Sequence, residues 1–129
     1  MKSKYKIAVG VIGSFVLGVG AANLVHAQGS APYYQLAEIN VKDEAGYEKS
    51  GVDKVRDAIK ANGGKLIAGG YNKAQGLMGV PPPNRVLITV FPNKDANDKF
   101  WAAVKSWADG EAKKYAEFRF IGIEGVEQK

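Results

Sequence analysis

The stretch RVLITVF at Arg85–Phe91 decides the fold, because it is the clearest strand of the chain. β-Branched and aromatic residues fill it, and Pro92 and Asn93 terminate it. Upstream, YYQLAEINV at Tyr33–Val41 predicts a strand with apolar groups on both of its faces. One face carries Tyr33, Ala37, Ile39 and Val41, and the other carries Tyr34, Leu36, Glu38 and Asn40. Such a strand requires cover on both sides.

Two amphipathic helices are predicted around these strands. The first has Asp43 as its N-cap, apolar residues at helical spacing from Tyr47 to Ile59, and a glycine end at Gly63. The second begins near Asp95 and is broken at Asp109-Gly110. A short helical turn over residues 111–116 is expected to follow it.

Two weaker strands complete the pattern. Lys65–Ala68 predicts a short strand that ends at Gly69-Gly70, and Phe118–Ile123 predicts the last strand. Residues 71–84 contain three consecutive prolines, which cannot donate to a β-ladder, and predict a loop. The order is β-α-β-β-α-β. It predicts an α+β, ferredoxin-like fold: a four-stranded antiparallel sheet with two helices on one face.

Both helices cover the same side of this sheet, so its other side lacks cover within one chain. Apolar residues of the strands, such as Tyr33, Ile39, Leu87 and Ile121, cannot all face the helices together with their alternate neighbours. The remainder would form an exposed patch of several hundred Å², the order of size at which a surface is normally an interaction site. We therefore predict a homodimer in which a second copy covers the open face.

The N-terminal residues predict a secretory signal. Lys2, Lys4 and Lys6 precede an apolar, glycine-rich run, and Val25 and Ala27 occupy the −3 and −1 positions of a small-residue cleavage site. We predict a signal peptide over residues 1–27, a flexible start over residues 28–32, one domain over residues 33–129, and a periplasmic or secreted protein. The alternative is an uncleaved membrane anchor, because the run from Ile7 to Val25 is 19 residues long, close to the ~20 residues that span a bilayer.

The composition excludes several chemistries. Cysteine is absent and the one histidine, His26, belongs to the leader. A Ser-His-Asp triad, a cysteine nucleophile, a zinc finger, a thiolate iron–sulfur cluster and a haem held by His or Cys are excluded, and no metal or other cofactor is expected. Loss of the three leader lysines lowers the formal net charge from +5 to +2, so nucleic-acid binding is not predicted, nor membrane association after cleavage.

Four stretches, taken in order, resemble domain-of-unknown-function family 1330, a branch of the dimeric α+β barrel superfamily. They are Tyr34–Tyr47, Gly63–Gly70, Pro83–Pro92 and Lys114–Gly125. The resemblance implies a ferredoxin-like protomer and a dimer whose sheets face each other. The wider superfamily includes small monooxygenases, isomerases and haem-handling proteins, and this branch brings no catalytic residues with it.

The candidate ligand-binding residues are carboxylate, guanidinium and aromatic side chains: Tyr34, Glu38, Tyr47, Arg85, Trp101 and Arg119. Glu38 is the candidate catalytic residue, as a general acid or base, or it pairs with Arg85 or Arg119. Arg85 holds a carboxylate ligand, or pairs with Glu38 or Glu124. The aromatic residues line a pocket or pack the core.

The resulting prediction is a small protein that binds a small, partly apolar molecule. The first alternative is a cofactor-free monooxygenase- or isomerase-like enzyme, in which Glu38 or a tyrosine accepts a proton and Arg85 or Arg119 steadies an enolate-like anion. The second is a structural or interaction protein without a pocket.

Overall fold

A computed structural model of the chain describes residues 31–126. Four strands and three α-helices follow one another in the order β1, α1, α2, β2, β3, α3, β4. The strands are β1 Tyr33–Val41, β2 Lys65–Tyr71, β3 Arg85–Phe91 and β4 Ala116–Glu124. The helices are α1 Glu44–Lys49, α2 Val52–Ala61 and α3 Lys94–Asp109, and a 3₁₀ turn covers Glu111–Lys114. The predicted signal peptide lies outside the described residues.

The four strands form one antiparallel sheet in the order β2-β3-β1-β4. β1 and β3 are its two central strands, and they pair from Tyr33 opposite Phe91 to Ile39 opposite Arg85. This is the strand order of a ferredoxin-like fold, so the α+β prediction is confirmed. None of the helices between residues 31 and 126 is long and apolar enough to span a bilayer.

The alternation predicted for β1 is confirmed by its burial. Ala37, Ile39 and Val41 are buried beneath the helices, whereas Glu38 is half-buried and Asn40 is exposed on the other face. The core therefore lies between one face of the sheet and the helix layer. We call the opposite face, which carries Tyr34, Leu36 and Glu38, the open face.

The first predicted helix is two helices. Asp43 caps α1 as expected, and its carboxylate accepts a hydrogen bond from the Gly46 backbone N–H at 3.0 Å. The break occurs at Gly51, whose φ of 120° is a conformation that other residues rarely adopt. A side chain there would also meet the indole of Trp107, so the break allows α3 to approach closely.

β2 is longer than predicted, because it continues through Gly69 and Gly70 to Tyr71. Both glycines have positive φ, and the register shifts between Leu66 and Ala68. The glycine pair thus serves as an irregular part of an edge strand rather than as its end. The extension brings Tyr71 opposite Arg85.

The remaining elements lie close to their predicted positions. α3 begins at Lys94, one residue before Asp95, and its N-cap is Asn93, whose side-chain oxygen accepts from the Ala96 N–H at 2.8 Å. α3 ends at Asp109 as expected. Residues 72–84 form no regular element, and their base is closed by a hydrogen bond from Asn72 N to Asn84 O at 2.7 Å.

Candidate functional site

A cavity of about 50 Å³ lies between the sheet and the helices. Its apolar wall includes Leu87 of β3, Phe100, Trp101 and Val104 of α3, and Phe120 of β4. The rings of Trp101 and Phe120 lie 4.9 Å apart, centroid to centroid, and form one side of it. This wall is suited to the apolar part of a small ligand.

Three polar side chains also line the cavity: Gln35 of β1, Thr89 of β3 and Tyr47 of α1. All three are buried. The side-chain oxygen of Gln35 accepts a hydrogen bond from the side-chain amide of Asn97 in α3 at 3.0 Å. This bond fixes the Gln35 side chain against the helix. Polar groups in this position give the cavity the means to orient a ligand.

Arg85 lies beside the cavity but does not itself line it. Three of its immediate neighbours line the cavity: Ile39, which is opposite Arg85 in the sheet, Leu87, two residues further along β3, and the ring of Tyr47. The Arg85 guanidinium lies 4.4 Å from the centroid of the Tyr71 ring and 5.8 Å from that of Tyr47. Cation–π contact therefore stabilises this charge on two sides.

Arg85 is only 9% exposed, and its Nε is buried without a hydrogen-bond partner. Among residues 31–126 no carboxylate lies within 4.0 Å of its guanidinium. The expected pairing with Glu38 or Glu124 is therefore not formed. A buried cation without a carboxylate partner is unusual, because its lost hydration is here compensated only by the two tyrosine rings among residues 31–126.

Two tyrosines beside Arg85 have raised pKa values. Burial raises the pKa of Tyr47, and the nearby Arg85 charge partly opposes this effect. The pKa of Tyr71 is raised by burial and by the hydrogen bond that its hydroxyl donates to Glu48 at 2.8 Å. Glu48 also pairs with Arg56 at 3.2 Å. Both phenols therefore stay protonated at neutral pH, and the Tyr47 hydroxyl is available as a donor.

The remaining predicted site residues lie on the open face. Glu38 pairs with Arg119 across β1 and β4, with 3.2 Å between Glu38 Oε1 and Arg119 Nε. Tyr34 lies four residues before Glu38 on the same face. This contact is the carboxylate–arginine pair that the sequence offered as one alternative for Glu38.

The structure thus divides the six predicted residues into two groups. Tyr47, Arg85 and Trp101 lie on the helix side, and Tyr34, Glu38 and Arg119 lie on the open face. Glu38 is opposite Val86, and its neighbour Ile39 is opposite Arg85. Glu38 and Arg85 therefore point to opposite sides of the sheet and do not share a site within one protomer.

Sequence reasoning did not single out Gln35, Thr89 or Asn97. Gln35 could have been found from the alternation of β1, because it lies on the same face as Ala37, Ile39 and Val41. This face is buried, so an amide there is notable. Thr89 and Asn97 gave no comparable signal, because threonine is common in strands and asparagine near a helix start is common as a cap.

A second, wider groove of about 440 Å³ runs between α2 and α3 and is lined by Ser50, Lys54, Ser106 and Trp107. The Trp107 indole N–H already donates to the Ser50 hydroxyl at 3.1 Å, and that hydroxyl donates to the Tyr47 carbonyl at 2.6 Å. Because the Ser50 hydroxyl and the Trp107 indole are engaged with each other, whereas Arg85 has no carboxylate partner among residues 31–126, the cavity beside Arg85 is the better candidate site. No group of three or more metal-ligating side chains occurs within the described part of the chain.

No family model matches the chain, so the resemblance to family 1330 stays a prediction. No curated protein matches it either. The chain is similar in structure to RPA0582 from Rhodopseudomonas palustris, a protein of unknown function. The TM-score is 0.58 at 13% identity, over 91% of this chain and all (100%) of the other. For the methylated RPA0582 protein the TM-score is 0.55 at 16% identity, over 89% and 96%. These likenesses show a shared fold.

Proposed function

We propose that this chain is a small exported homodimer that binds a small, partly apolar molecule between its sheet and its helices. The observation that carries the proposal is an inversion of polarity in β3. Val86, Ile88 and Val90 lie on the open face, whereas the helix side carries the buried polar residues Arg85 and Thr89 beside Leu87 and Phe91. Burial of the more polar face is costly unless its groups have a use there.

The cavity supports ligand binding in size and in chemistry. A cavity of about 50 Å³ exceeds the roughly 10–15 Å³ that one water needs, so it has room for more than one water-sized group. Its apolar wall and its buried polar side chains would select a ligand with both kinds of surface. This size suits a small molecule or one end of a larger one.

The placement of the carboxylates favours binding over an enzyme of the cofactor-free monooxygenase or isomerase kind. Within residues 31–126 no Asp or Glu lines the cavity, and Glu38 lies across the sheet from it. The remaining candidate base, Tyr47, has a raised pKa and therefore holds its proton at neutral pH. The cavity itself favours binding over a structural protein without a pocket.

Ligand binding is tested by substituting two consecutive residues of β3, one on each face of the sheet. Leu87→Phe narrows the cavity, and Ile88→Phe makes a similar change on the open face. Thermal unfolding of the purified protein is followed with a panel of metabolites. We expect a subset to raise the Tm of the natural protein and of Ile88→Phe, and to lose this effect in Leu87→Phe. No shift with any compound, or equal shifts in the two variants, would contradict the proposal.

The homodimer is supported by apolar rows across the open face. Ile88, Leu36 and Ile121 lie side by side on β3, β1 and β4, and Val90, Tyr34 and Ile123 form the next row. Four strands of this length present a face of roughly 20 by 25 Å. That is somewhat less than the about 800 Å² that each partner buries in a standard interface, so contacts beyond the sheet are needed. Leu77, Met78 and Val80 of the 72–84 loop, each at least 88% exposed, are apolar groups that would supply them.

Dimerisation is tested with two leucine-to-lysine variants. Leu36→Lys places a charge in the centre of the open face, and Leu66→Lys places one at an exposed position of the edge strand β2, opposite the helix-side Thr89. By light scattering we expect a dimer for the natural protein and Leu66→Lys, and a monomer for Leu36→Lys. A monomeric natural protein would contradict the proposal.

Export is a separate part of the proposal and has its own test. Expression of the full chain in a bacterium with a signal peptidase, followed by mass spectrometry, is expected to give a chain that begins at Gln28. A chain that retains residues 1–27 in the membrane fraction would favour the anchor.

A further inference from the structure

The buried charge of Arg85 narrows the class of ligand. Arg85 is only 9% exposed, and among residues 31–126 its Nε has no hydrogen-bond partner and no carboxylate pairs with its guanidinium. The two tyrosine rings stabilise the charge but leave its in-plane N–H donors unused by any anion. A planar fork of this kind is suited to a bidentate carboxylate.

We propose that the ligand is a small monocarboxylate, whose carboxylate pairs with Arg85 and whose apolar part occupies the cavity beyond Leu87. This inference rests on the proposed function and adds the chemical class of the ligand. Ile39, Leu87 and Tyr47 connect the two halves, because each is adjacent to Arg85 and each lines the cavity.

The surroundings of Arg85 favour a monoanion with a short or flat apolar group. The phenol of Tyr47 stays protonated and is a second donor beside the guanidinium. The cavity has room for more than one water-sized group, which suits a short acyl chain or part of an aromatic ring. A second charge on the ligand would be placed against Phe100, Trp101 or Val104 and would lose its hydration there.

The test compares acids with their uncharged amides. Butyrate and butyramide, and benzoate and benzamide, are titrated into the purified full-length protein at neutral pH by ligand-observed NMR and calorimetry. Each acid is expected to bind at least about tenfold more tightly than its amide, because a charge-assisted pair is worth more than a neutral hydrogen bond. The same titrations are made with Arg85→Gln, Arg85→Met and Arg119→Gln.

In both Arg85 variants we expect the preference for the acid to disappear, and in Arg119→Gln, whose side chain lies on the open face, we expect it to persist. Circular dichroism establishes that each variant is folded, and the two Arg85 variants serve as a check on each other. Equal binding of acids and amides would overturn this inference and leave the proposed function standing. Binding of none of the four probes would overturn it as well, and failure of the metabolite panel would then remove the proposed function too. Acid binding that survives in the Arg85 variants would place the anion elsewhere and also overturn it.

Discussion

Arg85, the first residue of β3, lies directly opposite Tyr71, the last residue of β2, and its guanidinium is 4.4 Å from the centre of the tyrosine ring. The hydroxyl of the same tyrosine donates to Glu48. The ring therefore stands between a buried cation and a carboxylate that do not meet. This arrangement leaves Arg85 buried and without a carboxylate partner in the part of the chain that the structure describes.

The first prediction concerns the cost of this arrangement. Arg85→Met replaces an unpaired buried charge by an apolar chain of similar length, so we expect the free energy of unfolding to stay the same or to rise by about 1 kcal/mol. Denaturant unfolding measures it. A decrease of more than about 2 kcal/mol would mean that Arg85 is mainly a structural residue, since that is the usual loss when a buried partnered group is removed.

A second prediction follows from the raised pKa of Tyr71. The folded state keeps the phenol proton, because of burial and then the Glu48 hydrogen bond, whereas the unfolded chain loses it above about pH 10. Stability is therefore fully present below about pH 10 and falls as the pH rises further. In Tyr71→Phe this decline should be shallower, by up to about 1.4 kcal/mol per pH unit. Urea unfolding at several alkaline pH values measures both slopes, and identical slopes would contradict the assignment.

A third prediction distinguishes two glycines with similar backbones. Gly69 and Gly79 have φ values of 103° and 84°. A side chain on Gly69 would overlap the Val86 carbonyl oxygen, whereas one on Gly79 would meet open space. Gly79→Ala should cost about 1 kcal/mol from its backbone alone, and Gly69→Ala should cost at least about 2 kcal/mol more because β2 must shift. Equal losses in thermal or urea unfolding would show that β2 is not held as described.

A fourth prediction concerns Asn84, which positions the start of β3. Its side-chain oxygen accepts from Val41 N at 2.9 Å, and its amide donates to Val41 O at 2.8 Å. Asn84→Ala should lower the free energy of unfolding by about 2–3 kcal/mol, since both Val41 groups lose their partner. Asn40→Ala, which removes an exposed hydrogen bond to Glu117, is the matched control and should cost less than about 0.5 kcal/mol. Similar losses in the two variants would contradict this role for Asn84.

Much of the fold could be predicted from local patterns. The alternation in Tyr33–Val41 and the Asp43 cap are properties of consecutive residues, and both were confirmed. The break at Gly51 and the extension of β2 through Gly69 and Gly70 were not foreseen. In each case the glycine allows the close approach of a residue that is distant in the sequence: Trp107 at Gly51 and Val86 at Gly69.

The candidate site was harder to predict, because it depends on how strands face one another. Alternation assigns residues to two faces within one strand, but it does not say which face of the next strand lies on the same side. The apolar row Val86, Ile88 and Val90 resembles the buried face of β3, yet it is the open one. That inversion placed Arg85 beside Tyr47 and away from Glu38, and no spacing in the sequence indicates it.

The most direct test of the account is a high-resolution crystal structure of the protein purified from its native host without added ligand. We expect density in the cavity between Leu87 and Phe100 whose planar head group lies within about 3 Å of the Arg85 guanidinium, the distance of a charge-assisted hydrogen bond. A cavity filled by side chains, with Arg85 paired to a carboxylate of its own chain, would contradict the account.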